Sequence, residues 1–477
     1  MHSSGTISQA NISNLLHTSE TDFEESFVSP PSALRGKPFW SWNGQLNKAE
    51  LLRQIEVIEE MGMGGAFMHS RTGLKNEYLG DEWFDFIRAC ADRCEEKGLE
   101  GWIYDEDRWP SGTAGGMVTQ ALTHRMRSLV LSVFAAGERI EWPTAENFIE
   151  AHRADLEGLA LSSYVPVEFQ ALEHCPEGTT ILLIQREIHG SNSFYNGGAY
   201  LNTLSRAATD AFIESTHEKY KAACGDAFGH SIHGIFTDEP HRGFILCEKV
   251  EQPGASNDAY SIPYSEELFD EFEAAFGYTL RGRLPELFYQ YKGEKISQPK
   301  WHYVELLQRL FLRNWAQPCA DWCEQNKLKL TGHVLHEDSL TAQVVPVGSL
   351  FRYYETMSYP GIDVLSRRCE SFWVAKQVVS TARQLGKPYV LSELYGATGW
   401  DTSFDEHKRI GDWQAFQGIN LRCPHLSWYS MAGESKRDYP ASIFHQSAWY
   451  PEYKFVEDYF ARIHLILSQG DPDCDVL

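Results

Sequence analysis

Short apolar runs alternate along this chain with longer stretches of helical periodicity, and several runs end in an acid or a histidine. The clearest lies in Ile232 to Gly243, IHGIFTDEPHRG, where a buried strand is predicted to pass into Asp238-Glu239 before Pro240 forbids its continuation. The same form recurs in GAFMHSR (65–71), GWIYDED (101–107), LTGHVLHED (330–338) and YVLSEL (389–394). PFWSWNG (38–44), GIDVLS (361–366) and NLRCPHLSWYS (420–430) complete a predicted set of strands. Between them Asn47 is placed to cap a helix whose apolar stripe carries Leu51, Ile55, Ile58 and Met61, and further helices are predicted over 81–97, 264–276, 301–326, 369–385, 406–418 and 452–468. Strands separated by helices of this length pair in parallel. The pattern therefore predicts an α/β fold, a (β/α)8 TIM-like barrel whose chemistry gathers at the C-terminal mouth.

One segment breaks the alternation. SLVLSVFAAG, RIEWP, LSSYVPVEF and TTILLIQREI are short alternating or apolar runs separated by turns, so 127–195 is predicted to be a β-rich insertion after strand three. The organisation expected is a flexible lead-in over 1–34, the first part of the barrel over 35–126, the insertion, the remainder of the barrel over 196–470, and over 471–477 the start of a possible further C-terminal domain.

Composition narrows the partners. A formal charge of −24 without a Lys/Arg-rich tract argues against nucleic acid. Fourteen tryptophans and twenty-two tyrosines suit stacking on sugar rings, although aromatics fill cores as readily. No run is long enough to span a membrane, and the N-terminus carries no signal-peptide pattern, so a cytoplasmic location is the default expectation. Cys90/Cys94 and Cys319/Cys323 lack the partners that would complete a zinc set and are expected to be buried thiols. The glycine-rich stretch GTAGGMVTQ (112–120) has neither dinucleotide nor P-loop spacing, and is expected to line a pocket rather than to cradle phosphate. No organic cofactor is expected.

The candidate chemistry is carboxylic. Glu239 and Glu393 end the fourth and seventh predicted strands, and a pair of carboxyls across a barrel mouth is what glycosidic cleavage requires, one protonated and one ionised. Glu239 is preferred over Asp238, which is left to orient a neighbour. Glu337, with His333 and His336, adds a third carboxylate, and Asp105, Glu106 and Asp107 add more. Crowding of this kind raises carboxyl pKa values or attracts a cation, with calcium favoured over zinc. His69, Arg71, His425, Trp428 and Tyr429 are candidates for contacts to substrate hydroxyls, and Trp40, Trp42, Trp109 and Trp400 for the pocket walls.

Taken together, FWSWNG, GAFMHSR, YLGDEWF, WIYDEDRWPSGTAGG, IFTDEP, TGHVLHE and LSELYGATGW resemble the catalytic region of glycoside hydrolase family 106, the α-L-rhamnosidases, from about Phe39 to Gln469. The resemblance implies an exo-acting enzyme that releases terminal α-L-rhamnose from plant-type oligosaccharides or glycosides with calcium assistance. It places the acid at Glu239 and leaves the roles of base and calcium or sugar ligand divided between Glu337 and Glu393. The chain is short for that family. The alternative is a non-catalytic carbohydrate-binding or structural barrel; a metal-dependent reaction using His333, His336 and Glu337 is a third reading. The oligomeric state is left open.

Overall fold

The computed structural model describes residues 20–138, 143–245 and 260–469. Two strand–helix steps open the fold: β1 (Phe39–Gly44), β2 (Gly65–Leu74) and β3 (Glu100–Tyr104) have helices Lys48–Glu60 and Asp81–Glu96 between them. Asn47 caps the first helix as expected, its side chain accepting from the Glu50 amide at 3.2 Å.

The chain then leaves the barrel for β4 (Arg127–Ala135), β5 (Phe148–Glu157), β6 (Ala160–Val167) and β7 (Thr180–Ile188). It returns through β8 (Ile232–Thr237), detours through β9 (Tyr260–Tyr264) and β10 (Gln290–Tyr291), and completes the barrel with β11 (Lys329–Gly332), β12 (Tyr359–Val364) and β13 (Leu391–Leu394). β14 (Leu421–Pro424) and β15 (Ser427–Trp428) follow.

The main sheet runs β14-β13-β12-β11-β8-β3-β2-β1-β15, and every pairing in it is parallel. Its two ends, β14 and β15, are consecutive in the chain, so one interrupted segment pairs with β13 on one side and β1 on the other and curls the sheet into a nearly closed barrel. The second sheet, β10-β6-β5-β7-β4-β9, is mostly antiparallel. It recruits β9 and β10 from beyond β8. Pro263 reads as a strand breaker, but β9 is an edge strand, where proline is tolerated.

Strand alternation divides the core in two. Phe39, Phe67, Trp102, Tyr104, Phe236 and Leu391 point into the barrel, where Phe39 packs edge-on against Phe67, Tyr104 and Phe236. Trp40 and Trp42 alternate with Phe39 and face the helices; both are wholly buried, Trp42 meets Trp83, and Trp40 donates to Gln54 at 2.8 Å. They belong to the helix–sheet interface rather than to a pocket wall, which corrects the expectation placed on them.

The eight described cysteines are free thiols, and those at 90, 94, 319 and 323 are buried. No helix among the described residues is long and apolar enough to cross a membrane.

Candidate active site

Continuing the inward alternation past the aromatic floor explains which polar groups meet. Two residues beyond Phe67 is His69, and then Arg71; two beyond Phe236 is Asp238; two beyond Leu391 is Glu393; two beyond Thr331 is His333; two beyond Cys423 is His425. On β12 the inward series Tyr359, Gly361 arrives at Asp363. These side chains close one end of the barrel, and the cleft above them is lined by Asp238, Glu239, Asp363, Glu393, Arg71 and His425, with Trp109, Tyr439 and Leu365 at its sides. It opens to solvent, and the space within it that water can occupy is about 30 Å³.

Glu239 is out of phase with this series, and β8 continued would carry it outward. It does not continue. Glu239 has a left-handed backbone, φ +49°, at the strand end, and its side chain lines the cleft. For a non-glycine residue that conformation costs about 1–2 kcal/mol, a cost often found where a functional group is held in place.

Burial is the main cause that lifts the Glu239 carboxyl to about 8; Asp238, Glu393 and Glu337 add repulsion, and His333 opposes them. The group keeps its proton at neutral pH. Asp363 is raised as well, by burial first and then by Glu393 and Glu239, and its Oδ1 has no protein partner.

His333 joins two of the acids. Its Nε2 lies 2.7 Å from Glu393 Oε2 and 3.3 Å from Asp238 Oδ1. Burial alone would pull the imidazole down, but its hydrogen bond to Glu393 and the charges of Asp238 and Glu393 leave it well above the usual histidine range. The resulting imidazolium holds both carboxylates. Asp238 also accepts from the Tyr104 hydroxyl at 2.5 Å, and its backbone N–H donates to Ser111 Oγ at 2.8 Å. Burial raises Glu393 above the usual carboxyl range, and the hydrogen bond and charge of His333 oppose the rise without cancelling it. His69 and His425 are pushed well below the usual range, by burial and then by Arg71, and stay neutral.

Arg71 is the guanidinium in the cleft lining. Nε and Nη2 each donate to Asp438 at 3.0 Å, Nη1 lies 3.3 Å from His69 Nε2, and Trp109 covers its face at 4.5 Å. Asp438 and Tyr439 come from a loop that offers no motif, so sequence reasoning passes over them.

Other candidates are placed elsewhere. Glu337 accepts from the Asp363 amide at 2.7 Å and from the Tyr354 hydroxyl at 3.3 Å, and burial lifts it to about 7. It supports the strand that presents Asp363 and is not a wall of the cleft. Calcium takes oxygen ligands, whereas the described residues whose ligand atoms converge within 4.8 Å are Asp238, His333 and Glu393, one of them an imidazole. This donor set does not fit calcium at Glu337. His336 is exposed outside that cluster.

Asp105 is buried against Ser111 Oγ at 2.5 Å, and Asp107 is held by Ser70, Asn196 and Arg108; neither lines the cleft. Trp400 is exposed and lines neither the cleft nor its walls, donating instead to the Lys436 carbonyl at 2.9 Å. Trp428 forms part of the floor below Arg71, and Tyr429 contacts the Asn47 amide at 3.0 Å.

The glycine-rich stretch cradles a carboxyl after all, and it is the chain's own; burial lifts it to about 7 against the pull of the amides. Glu106 accepts from the backbone amides of Asp107, Gly112, Thr113, Ala114 and Gly115 at 2.6–3.0 Å. The loop is thereby fastened to the end of β3 beside the cleft, with Ala114, Gly115 and Met117 lining a second pocket.

The barrel fold has a solved counterpart: the chain superposes on a rhamnosidase from Novosphingobium sp. PP1Y with a TM-score of 0.65 at 14% identity, covering 94% of this chain and 60% of that one. In sequence it is 22% identical over 525 residues to a Formosa agariphila protein named "Putative beta-glucuronidase", covering 96% of this chain. The chain spans 42% of that relative's length. No protein-family model matches.

Proposed function

We propose that the chain is an exo-acting glycoside hydrolase that removes a terminal sugar, α-L-rhamnose, from plant-type oligosaccharides or glycosides. The observation that carries this is a carboxyl held protonated at neutral pH, Glu239, sharing one cleft with Glu393, a carboxylate bound to the His333 imidazolium. Glycosidic cleavage needs one carboxyl of each kind. The choice of rhamnose rests on the motif resemblance, supported by the fold likeness.

Glu239 donates its proton to the glycosidic oxygen as the C–O bond breaks. Glu393, which His333 pulls toward its ionised form, removes a proton from the water that attacks the anomeric carbon. Asp238, paired with the His333 imidazolium, faces the positive charge that develops on the sugar ring, with the unpartnered Oδ1 of Asp363 adding a lone pair, and preorganised groups of this kind in a partly dry cleft stabilise it. Trp109 and Tyr439 supply flat surfaces for the ring. Arg71, tied to Asp438 and His69, holds that wall.

Hydrolysis of a panel of 4-nitrophenyl glycosides, including α-L-rhamnoside and β-D-glucuronide, tests the reading. Turnover of the rhamnoside that is lost in Glu393→Gln is expected. Turnover of no glycoside, together with saccharide-dependent rises in Tm, would instead favour a binding protein.

A further inference from the structure

The backbone on either side of Glu239 is tied to one residue that does not itself line the cleft. Ser111 lies between the end of β3 and the glycine-rich loop and is wholly buried. Its amide donates to the Asp238 carbonyl at 2.7 Å, and its Oγ accepts from the Asp238 amide at 2.8 Å. Residue 238 is thus gripped through both of its backbone polar groups. Because that amide can only donate, the Ser111 hydroxyl proton points the other way, to Asp105 Oδ1 at 2.5 Å.

The far side of Glu239 reaches the same residue through one phenol. Tyr200 donates to the Ser111 carbonyl at 2.9 Å and accepts from the His241 amide at 3.2 Å, with its ring stacked on the His241 imidazole at 4.2 Å. Thr203 donates to the His241 carbonyl at 2.7 Å. Between the two fastened residues lie only Glu239 and Pro240, and proline fixes its own φ and has no N–H to offer. With both flanks set, the turn between them has little freedom. Glu239 takes the left-handed φ of +49° there, and its side chain lines the cleft. A non-glycine residue stays in that region where its surroundings over-determine it.

Ser111 serves as a fixed point because it is itself fixed. Asp105 holds its hydroxyl from the end of β3, and the amide of the next residue, Gly112, donates to Glu106 at 3.0 Å. The hydroxyl spends its proton in one direction and a lone pair in the other. Alanine at this position would take that partner from both Asp105 and the Asp238 amide, in a place closed to water.

Resting on the reading of Glu239 as the proton donor, we infer that Ser111 is a positioning residue for that acid: through Asp238 on one side, and Tyr200 and His241 on the other, it fixes the turn that aims Glu239 at the glycosidic oxygen. It acts only through the acid. Its loss therefore costs protonation of the leaving group rather than binding of the sugar.

The test compares a rhamnosyl-glucose disaccharide, whose leaving sugar needs a proton, with 2,4-dinitrophenyl α-L-rhamnoside, whose phenolate leaves without one. In Ser111→Ala the kcat ratio of disaccharide to dinitrophenyl glycoside should fall about tenfold, a fraction of the roughly 10²–10⁴ that a general acid supplies, with each KM within about twofold of the parent. Loosening of the barrel alone would slow both substrates alike, so a ratio that falls less than about threefold overturns the assignment. Where Ser111→Ala gives no cooperative melt, Tyr200→Phe, which keeps the ring stack and cuts the tie on the His241 side, is judged by the same ratio and threshold. If the parent cleaves neither compound, the hydrolase reading fails on its own, and crystal structures of the parent and the same variant decide the positioning. A Glu239 φ that leaves the positive region in the variant sustains it; a φ that stays near +49° overturns it.

Discussion

Replacing Glu239 by glutamine tests the acid assignment through two independent readouts. The carboxyl moves from its ordinary 4.5 to about 8 in the folded protein, chiefly because burial penalises its charge. At ~1.36 kcal/mol per pH unit this corresponds to an upper bound of roughly 5 kcal/mol, shared with the neighbouring acids. The sign follows from proton linkage. Between about 4.5 and 8 the folded state holds a proton that the unfolded state has lost, so this contribution to stability is fully present below pH 4.5 and lost as pH rises through 8. Glutamine cannot ionise and escapes the loss. The Tm difference between Glu239→Gln and the parent should therefore be small at pH 4.5, grow through neutrality and level off above pH 8.

Catalysis should move the other way. The parent's rate should decline as pH rises through about 8, and the glutamine variant should lose about 10²–10⁴ in kcat on a substrate whose leaving group needs protonation, with a much smaller loss on an activated 2,4-dinitrophenyl glycoside. Stopped assays across pH with both substrates, alongside thermal melts in the same buffers, supply the data. A pH-independent Tm difference, or equal losses on both substrates, would refute the assignment.

Removing the imidazolium in His333→Gln should lower kcat by about 10² and stability by roughly 3 kcal/mol, because it strips the shared cation from two buried carboxylates. Since His333 holds the Glu393 pKa down, the acidic limb of the pH–rate profile should shift to higher pH, which distinguishes this loss from simple loosening. Glu106→Gln replaces an acceptor of backbone amides with a group that is partly a donor; a loss of about 3 kcal/mol and faster hydrogen exchange over 112–115 are expected by mass spectrometry. Trp42→Ala should cost roughly 3–5 kcal/mol in denaturant melts with KM little altered, whereas Trp109→Ala should raise KM about tenfold at a cost below about 1 kcal/mol. The reverse pattern would return Trp42 to the pocket.

Strand and helix positions were readable because burial imposes periods of two and 3.6 on the order of residues, and the acids at strand ends stand out against apolar runs. The sequence alone thus determined the alternating barrel pattern and the β-rich excursion, and it singled out Glu239 and Glu393 as candidates. It did not determine which polar residues share a cavity, because that depends on strand parity carried across neighbours far apart in the chain. Asp363 sits inside an apolar run and is easily passed over, yet β12 turns it inward beside Glu393. Trp40 and Trp42 look like pocket aromatics until the opposite parity puts them under a helix. Glu337 has the right chemistry and the wrong direction, and Glu106 finds its partners in backbone amides that no composition reveals. Tertiary structure also decided the state of the acids: an isolated glutamate ionises near 4.5, and Glu239 keeps its proton because the fold buries it among other carboxyls.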